Sequence, residues 1–347
     1  MTKSDRIEMG NSAVLKRLGV AFSWREKSLR DILSSASCAE QAGVESVWMP
    51  EAWGRDAFLA LAAIARSTDR VRLGTGIVNV YSRSPAALAM GAATLDELSN
   101  GRAILGLGSS GSGVVERWHG IHYERPLTRV RETVGIVRLA LSGASTDFQG
   151  TFFRVSDFKL AMDRPQRKIP IYVAALGPRM LSLAGEIADG ALLYLRPRSL
   201  IPNAIDEIRK GADKAGRQLS DVDIAALLPT AVSENRREAR DGVARAIAYY
   251  VGGMGAYYRR LVSESGFGSE AAKIRNAWER GDRASATNAV SDSLIDSVAL
   301  TGSPDECRRK LEEFRNSGVT LPILSLSTEA HNGIMDFCES IKTLMAE

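Results

Sequence analysis

The sequence predicts an α/β fold, a (β/α)8 TIM barrel with insertions. Two observations predict it. Short apolar runs of strand length alternate with segments of helical period from Leu18 almost to the end of the chain, making about eight strand–helix pairs. Small or polar residues also gather where those runs stop, as in LGTGIVNVYSRSPAALAMGAATLDELSNGRAILGLGSS, residues 73–110. In parallel α/β proteins, ligand chemistry collects at the carboxyl ends of the strands. A doubly wound open sheet is the competing architecture.

The elements follow in order. Residues 1–16 read as a polar tail, and 18–22 as a short buried strand. Ser28 is placed to cap a helix whose apolar residues Leu29, Ile32, Leu33, Ala36 and Ala39 share one face, and Gly43 ends it. Residues 46–51 form the second strand. Asp56 caps the helix carrying Phe58, Leu61 and Ile64. Residues 71–80 read as one continuous third strand. Ser84-Pro85 starts the next helix, Asn100-Gly101 ends it, and 103–108 is the fourth strand. Beyond Thr128 come a helix, a strand at 169–176, a helix from Pro178, a strand at 190–195 and a helix at 202–216. Strands at 222–232 and 321–326 and a helix from about Ile334 complete the series. Two segments interrupt the rhythm within one domain spanning 17–347. Residues 144–168 resemble a hairpin. Residues 234–318 are long and mostly helical, suited either to a substrate wall or to a peripheral helical layer or dimer contact.

Composition narrows the function. The 347 residues are 45% hydrophobic and 25% charged, ordinary for a soluble enzyme with a large core. The formal charge of +4 is spread among acids, with no basic block interleaved with aromatics, so nucleic acid is not an expected partner. No apolar run reaches membrane-spanning length, and the polar start has no signal-peptide core. The three cysteines, Cys38, Cys307 and Cys338, have no metal spacing. Cys38 and Cys338 are expected to pack as small hydrophobes in a protein of the reducing cytoplasm.

Several motifs carry candidate chemistry. Gly106 to Gly111 matches G-x-G-x-x-G after a strand, but no second strand with an acidic end follows, so a dinucleotide site is not expected. Leu176-Gly177-Pro178-Arg179 is a better anion site. A strand end, a glycine turn and a proline at the first helical turn expose a helix N-terminus beside a cation. A plain βα loop with an exposed arginine is the alternative. Glu51-Ala52-Trp53-Gly54-Arg55-Asp56 ends the second strand. Glu51 could donate or accept a proton and Trp53 could wall a flat ring; a simple Glu51–Arg55 ion pair is the other possibility. His119 and His122 have no ligating partners nearby, and no metal is expected. With no nucleophile elbow, Cys/His pairing or Walker motif, hard chemistry needs a cofactor.

WMPEAWGRDAF, LGTGIVNVYSRSP, LDELSNGRAILGLGSS, PIYVAALGPRMLSLAGEIADGALL and LTGSPDEC together give a family resemblance. Over residues 17–340 the chain resembles the bacterial-luciferase-like family, most nearly its coenzyme F420-dependent branch, which includes methylenetetrahydromethanopterin reductase. The resemblance implies a TIM barrel with the deazaflavin at its C-terminal mouth. It implies a cis peptide at Gly76-Ile77, with Ile77 against the rear of the ring, and cofactor contacts at Phe22, Glu51, Gly76, Ile77, Val78, Ser109, Ser110 and Ala175. The phosphate-bearing tail would meet Leu176, Gly177, Pro178 and Arg179. Glu51, Trp53 and His119 are the expected catalytic and substrate-side residues. The glucose-6-phosphate dehydrogenases of this branch carry Asp-His after the second strand and a glutamate after the fourth. Glu51-Ala52 and Gly111 stand here instead, which argues against sugar-phosphate oxidation.

The expectation is therefore a cytoplasmic F420-dependent oxidoreductase, a homodimer through the helices after strands two and three, acting on a small organic molecule. The rivals are an FMN-dependent monooxygenase of the same superfamily, a non-catalytic flavin- or deazaflavin-binding barrel, and a barrel enzyme on phosphorylated metabolites.

Overall fold

The computed structural model describes residues 17–23, 28–163, 165, 167–326 and 336–345. Eight parallel strands form its centre: β1 (Gly19–Ala21), β2 (Ser46–Met49), β3 (Arg72–Thr75), β4 (Ala103–Gly108), β5 (Ile171–Ala174), β6 (Gly190–Tyr194), β7 (Asp223–Val232) and β8 (Leu321–Leu326). Each pairs with its neighbour in sequence, and β8 pairs with β1, so the sheet closes. Closure excludes the open doubly wound sheet. The 1–16 tail lies outside the described residues.

The barrel interior is filled, as barrel cores are. Trp48 and Tyr172 meet edge to face, ring centroids 5.3 Å apart, among Ile104, Leu192, Leu321 and Ile323. This packing explains one of the glycines in the 73–110 stretch. A Cβ on Gly74 would lie 2.4 Å from the Trp48 ring, and one on Gly190 would lie 2.2 Å from Tyr172. Gly106 serves close strand pairing instead: a Cβ there would meet the Thr75 carbonyl oxygen at 1.9 Å, and Thr75 Oγ1 bonds the Gly106 backbone on both sides at 2.8 Å.

Helices α1 (Leu29–Gln41), α2 (Ala57–Ala65) and α3 (Pro85–Leu98) cover the first strands. Their caps are as read from sequence. Ser28, Asp56 and Ser84 accept from the backbone N–H groups of Asp31, Leu59 and Ala87 at 3.1, 3.0 and 3.2 Å. Each such cap contributes about 1 kcal/mol. Helices α4 (Pro126–Leu141), α5 (Pro178–Ile187) and α6 (Ile201–Lys214) continue the outer layer.

Three local readings are corrected. The third strand is not continuous: β3 stops at Thr75, the Gly76–Ile77 peptide is cis, and Val78–Asn79 resumes pairing on β4. The resemblance had implied that cis bond; the alternation of residues did not. The helical excursion after β7 is also shorter than 234–318. Leu300–Gly302 is a strand paired with the end of β7, and Pro304–Asn316 is an ordinary barrel helix with Ser303 and Glu306 in a capping box. Apolar Leu300 beside two small polar residues gave too short a signal for a strand. The excursion has its own core, including Val243, Ile247, Val251, Ile274 and Leu294. Finally, Cys38 and Cys338 do not pack singly. Helix α1 meets the final helix Phe337–Met345, their Cα atoms lie 5.8 Å apart, and the sulfurs are joined in a disulfide. The 144–168 segment contains the expected hairpin, Thr146–Gln149 against Arg154–Phe158.

Candidate active site

A cavity of about 1490 Å³ opens at the carboxyl ends of the strands. Ile77, Ala174, Leu192 and Leu227 make its floor, and the loops after β1, β2, β4 and β5 make its rim. The far wall comes from the excursion, through α7 (Arg236–Gly253) and the helices Ala256–Val262 and Gly268–Glu279. The excursion thus walls this cavity.

Most sequence-read positions converge here. Phe22, Glu51, Trp53, Gly76, Ile77, Ser109, Ser110, Ala175, Leu176, Gly177, Pro178 and Arg179 all line the cavity. Two do not. Val78 is fully buried in the core between barrel and helices. His119 is exposed and outside the lining. The residue before it, Trp118, is also outside the lining but touches it: its ring meets Trp53 edge to face at 4.5 Å, and Trp53 meets Tyr249 of α7 at 6.0 Å.

Ile77 is positioned from below by β4 and β5. A Cβ on Gly108 would stand 3.1 Å from Ile77 Cδ1 and 3.1 Å from the Ala174 Cβ. Glycine at 108 therefore lets the Ile77 side chain lie flat on the floor. The G-x-G spacing that resembled a phosphate loop is a packing requirement at both glycines.

Glu51 is held on two sides. One carboxylate oxygen accepts from the Ala57 N–H at the start of α2 at 2.9 Å, and the other pairs with Arg83. Arg83 also pairs with Asp56. Arg83 is therefore an ion partner of Glu51 from outside its own loop. Burial works against the Arg83 charge, but its two carboxylates outweigh it and hold its pKa above the ordinary value. Arg83 lies 32 residues from Glu51, beyond the reach of local spacing.

At the opposite rim, Gly177 precedes α5 with extended backbone, Pro178 occupies the first turn, and no side chain caps the helix. The first turn thus keeps N–H groups for an acceptor from outside, the arrangement that binds anions. Beneath it, Arg196 donates to the Leu176 carbonyl oxygen. Sequence reasoning missed Arg196, since a lone arginine after a strand carries no pattern. On the loop after β4, Tyr123 donates to Ser109 Oγ at 3.2 Å and fixes the Ser109–Ser110 turn, where Ser110 has a φ of 56°.

The excursion wall is aromatic. Tyr194, Tyr250 and Tyr258 form a cluster with ring centroids 4.7 to 6.1 Å apart. Burial pushes the Tyr194 phenol well above its usual pKa, helped by its two neighbours, and raises Tyr250 to about 12. These phenols stay neutral and can donate hydrogen bonds at physiological pH.

A closed parallel barrel with a roomy mouth, an uncapped helix end at one rim and an aromatic wall at the other defines a cofactor-binding barrel enzyme. The luciferase-like monooxygenase family model matches residues 12–321, and the chain belongs to that family. A Mycobacterium tuberculosis protein named as a coenzyme F420-dependent oxidoreductase is 33% identical over 87% of this chain and 92% of its own. The 5,10-methylenetetrahydromethanopterin reductase of Methanolobus tindarius is 34% identical over 82% of this chain and 86% of its own. The structure of the coenzyme F420-dependent tetrahydromethanopterin reductase from Methanopyrus kandleri superposes with a TM-score of 0.83 at 26% identity, covering 95% of this chain and 97% of that one. Among the described residues, no helix is long and apolar enough to cross a membrane.

Proposed function

We propose that this chain is a coenzyme F420-dependent oxidoreductase that passes a hydride between the deazaflavin and a small organic substrate bearing an enone, imine, alcohol or methylene-pterin-like group. The observation that carries the reading is the pairing, in one cavity, of a flat apolar floor at Ile77 with an uncapped α5 N-terminus at the rim. A fused ring with an anionic tail needs both. The cavity exceeds the roughly 300–1,000 Å³ typical of a single small-ligand site, leaving room for a second molecule.

The bound deazaflavin supplies the hydride chemistry; the protein supplies placement. Ile77 shields one face. Tyr123 holds the Ser109–Ser110 turn against the rim. Gly177 and Arg179 offer backbone N–H groups to the tail. Glu51, fixed by Arg83 and the α2 N-terminus, is the candidate to hold or move a proton at its carboxylate. Trp53, braced by Trp118 and Tyr249, bounds the substrate space.

The enzyme is further proposed to be a cytoplasmic homodimer, since a diffusible redox cofactor has to be regenerated by other enzymes of its own compartment. Leu59 on α2 and Met90 on α3 are 74% and 53% exposed, and a second copy of this chain would cover them.

The deciding experiment is a fluorescence titration with coenzyme F420 and, separately, FMN. Micromolar or tighter F420 binding with much weaker FMN binding supports the proposal. The reverse preference favours an FMN-dependent monooxygenase. Binding of neither overturns the cofactor reading.

A further inference from the structure

Two arginines are buried to the same degree, Arg102 and Arg196, each 8% exposed. A guanidinium has five N–H donors, and burial requires partners for them. Arg102, at the closed end of the barrel, uses them all. It donates to the carbonyls of Ser99, Val71, Ala65 and Thr68 and to Thr68 Oγ1, at 2.7 to 3.0 Å. Arg102 is a structural rivet.

Arg196 sits at the open end and is not satisfied. One bond goes to the Leu176 carbonyl and a longer one, 3.3 Å, to the Leu200 carbonyl, while its Nε has no partner. Among the described residues no carboxylate pairs with it. Glu264, the acid that feels its charge, is bonded to Arg260 at 2.6 Å. Burial lowers the Arg196 pKa to about 10. The preceding residue, Leu195, has a φ of 49°, a left-handed conformation that side-chain-bearing residues rarely adopt, and it sends the chain under the Leu176–Gly177 turn.

Two sources of positive potential therefore flank one short turn: this guanidinium and the α5 N-terminus, which carries roughly half a unit charge. The helix end is exposed at the rim and the guanidinium is buried beneath it, and among the described residues no carboxylate is bonded to either. A bound phosphate would offset both.

Resting on the F420 reading above, we propose that Arg196 is a positioning residue for the cofactor's anionic tail. By gripping the Leu176 carbonyl it aims the N–H groups of Gly177 and Arg179 into the cavity, and its uncompensated charge adds affinity for phosphate. Arg196 itself does not line the cavity.

The test compares dissociation constants, by fluorescence, for F420 and for its phosphate-free ring-and-ribityl fragment, with wild-type protein, Arg196→Lys and Arg196→Met. Wild type should bind F420 at least tenfold more tightly than the fragment. Arg196→Met should lose tenfold or more for F420 while its fragment affinity stays within about threefold. Arg196→Lys, which keeps the cation, should fall between. An equal loss for both ligands in the variants would mean that Arg196 only maintains the fold, and no loss for either would mean that it does nothing; both overturn the proposal. If Arg196→Met does not fold, the Arg196→Lys comparison decides by the same ratio. Wild type binding F420 and the fragment equally would overturn the phosphate site and this proposal with it. Wild type binding neither would overturn the cofactor reading itself.

Discussion

Arg83 joins Glu51 at the cavity to Asp56 at the start of α2. The Asp56 cap, the candidate proton-handling carboxylate and a cation from the residue before the α3 cap are thereby one assembly. Glu51→Gln should lower turnover at least tenfold with a substrate found by screening for reduced-F420 depletion, while F420 affinity stays within about threefold. Arg83→Met leaves the half-buried Glu51 and the more exposed Asp56 without their shared cation and should cost about 1 kcal/mol in urea unfolding. Unchanged turnover in Glu51→Gln would remove Glu51 from the mechanism.

The two glycines of β4 should separate cleanly. Gly106→Ala drives a Cβ into a backbone oxygen 1.9 Å away, and little folded protein is expected on expression. Gly108→Ala meets only the movable end of Ile77 and the Ala174 methyl at 3.1 Å. It should fold with a near-normal melting temperature and bind F420 at least fivefold more weakly. Equal affinity would show that the Ile77 position does not matter to the cofactor.

Trp118 is 52% exposed yet braces Trp53. Trp118→Ala should leave melting and F420 affinity unchanged and raise the substrate KM severalfold. A fall in kcat with constant KM would instead tie this pair to the chemical step.

Leu59→Glu places a charge on the exposed face of α2. Light scattering should find a dimer for the parent and a monomer for the variant, each with an intact circular dichroism spectrum. A parent that is already monomeric refutes the homodimer.

The phenol cluster sets an alkaline limit. Below pH 10 a tyrosine keeps its proton in both folded and unfolded chains. Between about 10 and 12 the unfolded chain ionises while Tyr250 does not, so the unfolded state binds fewer protons and stability falls as pH rises. Urea midpoints should drop through that window, and Tyr250→Phe should flatten the decline. A midpoint constant to pH 12 would contradict the burial of this phenol.

What the sequence made legible follows from range. The caps at Ser28, Asp56 and Ser84 and strand β4 are local patterns, and they were readable. So was the uncapped α5 N-terminus, because strand end, glycine and proline are adjacent in the chain. Arg83, Trp118 and Arg196 were not, because each acts on a residue distant in sequence or through a backbone atom, and no spacing rule reports that. The cis peptide in the β3 break was accessible only through resemblance, since no pattern of residue types marks it at Gly76 and Ile77. His119 attracted attention as a titratable residue, while its neighbour Trp118 holds the contact.

The excursion that walls the cavity leaves from the end of β7 and returns at Leu300–Gly302, which pairs with that same strand end, and the Ser233 N–H donates to the Gly302 carbonyl at 2.9 Å. Its two ends are thus neighbours across a single ladder, about 4.8 Å apart. A segment whose ends are already joined can be lengthened, shortened or exchanged at an entropic cost that grows only slowly with its length. Because it also packs around its own apolar residues, it behaves as a cassette: a descendant of this chain can reshape one wall of the cavity by replacing the cassette, with the barrel floor left untouched.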